Sequence, residues 1–216
     1  MKERDQQQIL DLSQRARVFD PSSLDGVPQL LLDLVSKADQ DKRLLNIDEI
    51  EQLCAWSGMS ATALIQLQNQ TEALLNQARH NLLSQRPELT RPGGDLHPEA
   101  RAQACWHDCF QFLRISFYGV ALQRTAITNT SGMLALAELY AYLDVPVPAL
   151  LTLLDQLIEL IKTKGDEAGA GRETTSRSLR ETLQHISRMI RISQHREETT
   201  SLWHATPVNR KNSARD

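Results

Sequence analysis

Four residues spaced i, i+3, i+4 and i+7 lie in the stretch Arg101-Ala-Gln-Ala-Cys105-Trp106-His107-Asp108-Cys109, continued to Phe112. If this stretch is helical, Cys105, Asp108, Cys109 and Phe112 share one face. A thiol and a carboxylate are then within reach of one bound molecule. The thiol can add to an activated double bond. The carboxylate can accept hydrogen bonds from N–H groups, more strongly if those groups carry a proton.

A linear tetrapyrrole (bilin) meets both demands. An exocyclic double bond at one end would take the sulfur as a thioether, and the inner pyrrole N–H groups would face the carboxylate. Cations at Arg101 and His107 would pair with the propionates. Phe112 and Tyr118 would supply apolar walls. Other readings of the same residues stand beside this one. A cysteine on an apolar helix face is commonly a small buried hydrophobe, and Asp108 can be solvated or paired with Arg101 or Arg114. Cys105, His107 and Cys109 lack a second ligand pair at finger spacing, which argues against zinc. A cysteine nucleophile would need a histidine base, and nothing in the sequence directs His80 or His185 to it. Spacing alone favours the packing role.

The elements that must position these residues read as helices. Apolar residues recur at helical spacing and alternation is absent. Residues 3–18 read as a polar leading helix ended by the turn-rich Asp20-Pro21-Ser22-Ser23. Leu30, Leu31, Leu34 and Val35 mark an amphipathic helix closing near Asp39-Gln40-Asp41. Asn46, answered by Glu49, predicts a capping box for a helix to Trp56, with Gly58 as its stop. One helix is predicted from Ser60 to just before Pro87, carrying the stripe Leu64, Leu67, Thr71, Leu74, Leu75, Ala78 and Leu82. The Pro87–Gly94 loop interrupts it. Pro98 opens a long helix to about Leu122, followed by helices over Ser131–Leu143 and Pro148–Lys164. Gly165–Gly171 reads as a linker and Thr174–Gln194 as a last helix.

The domain organisation is therefore an N-terminal extension over 1–26, one all-α domain over 27–195 and a disordered tail over 196–216. Net charge is −3 in 216 residues, so no overall field draws the chain to nucleic acid or an anionic membrane. No apolar run is long enough for a membrane span. The N-terminus lacks the apolar core of a secretory signal, and three cysteines are too few for a disulfide framework, so a cytoplasmic location is expected. Arg177, Arg180, Arg188, Arg191 and Arg196 give the last helix a basic face that could meet an acidic partner. Without interleaved aromatics, this face does not read as a nucleic-acid site.

In this region the sequence resembles the phycobiliproteins (phycocyanin and allophycocyanin), and most closely the bilin biosynthesis-associated globins. These carry Ala-Cys-x-Arg-Asp on a helix after a Pro-Gly-Gly loop. Here the order is Arg91-Pro92-Gly93-Gly94-Asp95, then Ala104-Cys105-Trp106-His107-Asp108. Leu113-Arg114, Tyr118, the Glu138–Pro146 segment, Ala38-Asp39, Leu44-Leu45 and Gln85–Leu89 also match. The similarity covers about residues 30–164, with 174–194 as a final helix.

The resemblance implies a globin-like fold with extra N-terminal helices that pair with a second copy or a related globin subunit. It implies bilin attachment at Cys105, Asp108 on the pyrrole nitrogens and Arg101 on a propionate. Asp95 stands where some members carry a modified asparagine. The chain departs from the pattern at His107, which replaces the motif arginine, and at Leu122-Gln123-Arg124, which replaces Ala-Gly-Asp. The arginine expected near Ser131-Gly132 and a second bilin cysteine are both missing. These departures favour a non-catalytic bilin carrier or sensor, served by bilin-synthesis enzymes or a lyase. A light-harvesting phycobilisome subunit and a chromophore-free interaction globin are the alternatives, with a haem globin using His80 or His107 behind them.

Overall fold

The computed structural model describes residues 3–166 and 170–205. Among these it shows nine α-helices and no strand, the all-α globin-like architecture of the sequence reading. They are α1 (Glu3–Arg15), α2 (Gln29–Gln40), α3 (Ile47–Ser57), α4 (Ala61–Gln68), α5 (Thr71–Gln85), α6 (Glu99–Ala121), α7 (Thr130–Tyr142), α8 (Val147–Asp166) and α9 (Ala170–Ala205). No helix of the described residues is long and apolar enough to cross a membrane.

The long helix α6 is the axis of the molecule. It packs against α9, α8, α5, α4 and α3. Its second half, from Phe112 to Ala121, is buried on every side, as expected of a helix enclosed by other helices. Pro98 sits immediately before its first turn as N-cap. The apolar stripes of α5, α8 and α9 close the core from the far side, with Leu74, Leu82, Leu154, Ile161, Leu183 and Ile186 fully buried. On the near side α1 lies against α7.

The predicted capping box is present: Asn46 Oδ1 accepts from the Glu49 N–H at 2.9 Å, and Glu49 Oε2 accepts from the Asn46 N–H at 2.8 Å. Glu49 also takes a two-pronged contact from Arg43 at 2.7 Å on each arm. The Arg43 hydrogen bond, more than any other influence, holds the Glu49 carboxyl below its ordinary range. A depressed folded-state value contributes stability above the unfolded carboxyl range, and that stability is lost as pH falls through the folded value. Glu49→Gln is expected to cost about 1–3 kcal/mol at neutral pH. It should also flatten the acid limb of a stability-versus-pH curve measured by urea unfolding.

Three boundaries and one burial differ from the sequence reading. The segment predicted as one helix from Ser60 is two, broken at Asn69-Gln70. No glycine or proline marks that break. The first helix stops at Arg15, because the following residues run extended to an isolated bridge between Phe19 and Thr128. Leu30, placed on the buried stripe, is 67% exposed, whereas Leu31 and Val35 are buried. At the C-terminal end, α9 begins at Ala170 and continues to Ala205. It thus takes in part of the predicted linker and part of the predicted tail. The remaining calls on residues 167–169 and 206–216 lie outside the described residues.

Candidate functional site

Asp108 is brought to the site by α6, and Tyr140 by α7. The Tyr140 hydroxyl donates to Asp108 Oδ2 at 2.8 Å. Both residues line a groove of about 1280 Å³. Its walls are the end of α1 with the extended residues after it, α2, α6 and α7. His107 and Phe112 line it too. The 3.6-residue repeat of α6 therefore sets three of the sequence-predicted residues on one wall.

At one edge of the groove a glycine lets two backbones meet. A Cβ on Gly132 would collide with the Arg17 carbonyl, so only glycine permits the α1–α7 connection to lie so close. Asn129 caps α7 by accepting from the Gly132 N–H at 2.8 Å, and its amide donates to Asp20 at 3.0 Å.

The thiols lie behind this wall. Cys105 is 1% exposed, Cys109 is fully buried, and neither lines the groove. Both are close enough to Tyr140 to raise the pKa of its phenol, though desolvation is the larger cause. Burial first, and then the Asp108 charge, push the Cys105 thiol up to about 12. Cys109 is raised by the same desolvation. Desolvation also raises the Asp108 carboxyl, against the opposing pull of the Tyr140 hydrogen bond and of His107. In this arrangement the sulfur is a neutral thiol and a poor nucleophile.

The remaining sequence-predicted residues are elsewhere. Arg101 pairs with Asp144 at 2.6 Å and also donates to the Asp144 carbonyl, tying the start of α6 to the turn after α7. Asp95 is exposed in the loop before α6. Tyr118 is fully buried. Its hydroxyl donates to the Arg43 carbonyl and accepts from Arg114 at 2.6 Å. Arg114 is not a partner of Asp108; it donates to Asp39 at 2.7 Å.

Two features escaped sequence reasoning. Tyr140 as the partner of Asp108 is 32 positions away, beyond any local spacing rule. The cations Arg15, Arg17 and Lys42 line the groove from segments that carry no motif. Among the described residues no group of three or more His, Cys, Asp or Glu could hold a metal ion.

A bilin needs room for four pyrroles, an anion for the nitrogens and cations for two propionates. The groove exceeds the roughly 300–1,000 Å³ of ordinary small-molecule clefts. Asp108 provides the anion, and Arg15, Arg17 and Lys42 the cations. These residues fit a held tetrapyrrole. The thioether partner does not fit without movement, because Cys105 is buried and does not line the groove.

Comparison with known proteins decides the family. The model of the family described as phycobilisome protein matches residues 33–190. The chain belongs to the phycobilisome protein family. Among relatives of this phycobilisome-family chain, allophycocyanin subunit beta-18 of Cyanidium caldarium is 28% identical over 137 residues, covering 62% of this chain and 81% of its own length. The subunit of the same name from a Nostoc species is 32% identical over 135 residues, covering 61% of this chain and 78% of its own. The allophycocyanin alpha chain of Galdieria sulphuraria is 29% identical over 118 residues, 53% of this chain and 73% of that one. The region the family model matches includes the whole of α6 and α7, and with them Asp108 and Tyr140, whereas the groove wall from Ser13 to Ser22, with Arg15 and Arg17, precedes it.

Proposed function

We propose that this phycobilisome-family chain is a non-catalytic bilin-binding protein. In this reading it holds a linear tetrapyrrole in the Asp108 groove, works in the cytoplasm and serves as a subunit or close associate of a light-harvesting assembly. The names of its relatives favour this light-harvesting role over the carrier or sensor associated with bilin metabolism. One observation carries the binding reading: a half-buried carboxylate opens onto a groove also lined by Arg15, Arg17 and Lys42, of which Arg15 pairs with Glu138 and Lys42 with Asp39. A bound bilin would supply an extended conjugated system that absorbs visible light.

The chain's own groups have separable tasks. Asp108 accepts hydrogen bonds from pyrrole N–H groups once Tyr140 releases it. Arg15, Arg17 and Lys42 bind the propionates, and His107 adds a charge when protonated. Phe112 and Leu136 exclude water from the rings. Pairing with a related globin subunit, or with a second copy, would use apolar surface such as Leu30 and Ile47, which are 67% and 58% exposed.

The reading is tested by mixing the purified chain with phycocyanobilin and recording the visible spectrum. A narrowed, red-enhanced band is expected, and Asp108→Ala should broaden it. A free-pigment spectrum from the unaltered chain would favour the chromophore-free interaction globin, the reading to which the closed Tyr140–Asp108 contact lends support.

A further inference from the structure

A second cavity, of about 430 Å³, opens on another flank of α6, where that helix faces α5. It shares no lining residue with the Asp108 groove. From α5 it takes Glu72, Leu75, Asn76 and Arg79. Their spacing, i, i+3, i+4 and i+7, is that of one helix face, so Leu75 lies between a carboxylate and a guanidinium. Two turns of helix set the Glu72 and Arg79 backbones about 10 Å apart along the axis.

The facing wall is aromatic. Trp106 and Phe110, one turn apart on α6, line the cavity and are partly exposed, and Leu153 of α8 adds a buried apolar side chain. Arg79 lies over the Trp106 ring at 5.8 Å, which makes the Trp106 end the cationic one. The volume is near the lower end of the roughly 300–1,000 Å³ typical of ligand sites. It suits a single ring with short arms.

Neither charge is neutralised within the chain. Among the described residues, the Arg79 guanidinium donates only to the neutral Asn76 side chain, at 2.9 Å, and the Glu72 carboxylate has no partner. Glu72 is exposed and Arg79 half-buried, so a molecule in the cavity can reach both. The complement of an aromatic bed with an anion at one end and a cation at the other is a ring of reverse polarity. An aryl carboxylate alone would meet Arg79 but leave Glu72 repelling it, and an aryl amine alone would face the opposite conflict.

We propose that this cavity is a binding site for a small aromatic zwitterion. The ligand's ammonium group pairs with Glu72, its carboxylate accepts from Arg79, and its ring packs on Trp106, Phe110 and Leu75. The site is independent of the bilin reading.

The test is a titration of the ¹⁵N-labelled full chain with 4-(aminomethyl)benzoate, followed by two-dimensional NMR. The probes 4-methylbenzoate and 4-methylbenzylamine each lack one of the two charges. Shifts are expected in the amides of α5 from Glu72 to Arg79 and in the Trp106 indole N–H. Loss of the ammonium group should weaken binding about three- to fivefold, the effect of an exposed ion pair. Loss of the carboxylate should weaken it about tenfold, because the guanidinium is half-buried and its hydrogen bonds are charge-assisted. Glu72→Gln should erase the preference for the zwitterion over 4-methylbenzoate, and Arg79→Gln the preference over 4-methylbenzylamine. Each comparison is between probes on one protein, so a change in a variant's stability does not alter the result. Equal affinity for the three probes would overturn the proposal. So would preferences that survive both substitutions, shifts confined to the Asp108 groove, or no shifts at about 5 mM probe.

Discussion

Tyr140→Ala is expected to raise the fraction of phycocyanobilin that stays attached through acid denaturation by about tenfold or more, read as zinc-induced fluorescence on a gel. In the unaltered chain Cys105 is 1% exposed and its thiol is pushed up to about 12, so almost none of it is thiolate at neutral pH. Removing the phenol, which lines the groove and interacts electrostatically with Cys105, is expected to let water reach the sulfur and so lower the desolvation penalty. Addition then places sulfur on the exocyclic carbon and the thiol hydrogen on its neighbour, with no leaving group.

Tyr140→Phe separates the two effects. It keeps the ring but frees Asp108 from the 2.8 Å hydrogen bond. It should sharpen the red band without adding covalent pigment. If Tyr140→Ala leaves Cys105 unreactive both to pigment and to a maleimide, Tyr140 is not the barrier. If the covalent signal depends on Cys109 instead, the attachment site moves by one helical turn.

The second large effect concerns stability. Arg114 is 2% exposed and spends its donors on Asp39 at 2.7 Å, Gln111 at 2.8 Å and the Tyr118 hydroxyl at 2.6 Å, while its guanidinium lies over the Tyr118 ring. Tyr118 passes the connection on by donating to the Arg43 carbonyl. This network joins α2, the turn after it and the centre of α6. Arg114→Ala is expected to cost about 3–5 kcal/mol in urea unfolding, because it removes a guanidinium that is itself buried and leaves Asp39 only Lys42 at 3.5 Å and the phenol only the Arg43 carbonyl. Asp39→Ala should lose less, since its side chain is 22% exposed and Arg114 keeps two other acceptors. The two losses should be strongly non-additive in a double-mutant cycle. A loss under about 1 kcal/mol for Arg114→Ala would show that the network is replaceable by water.

Both effects involve residues whose local signals are legible and whose partners are not. The capping box at Asn46 and Glu49 was readable because both groups lie within one turn. The common flank of Asp108 and Phe112 was readable for the same reason, the fixed repeat of a helix. The break at Asn69-Gln70 was not, because no residue there forbids helix and the apolar stripe runs straight through it. The interruption comes from how α4 and α5 pack around α6. Likewise, helical spacing placed Cys105 on the same face as Asp108 but said nothing about depth.

By itself the sequence determined the helical class, most helix positions, the family and the turn of α6 that carries sulfur and carboxylate. The family rests on the resemblance of its ordered motifs; the rest follows from periodicity and short-range geometry, which a chain carries wherever it folds. Tertiary structure alone decided that Tyr140 takes the carboxylate, that the sulfur lies behind it, and that Arg15, Arg17 and Lys42 gather along one groove. Those outcomes depend on which helix faces meet across distant stretches of chain, and on how much water the packing leaves between them.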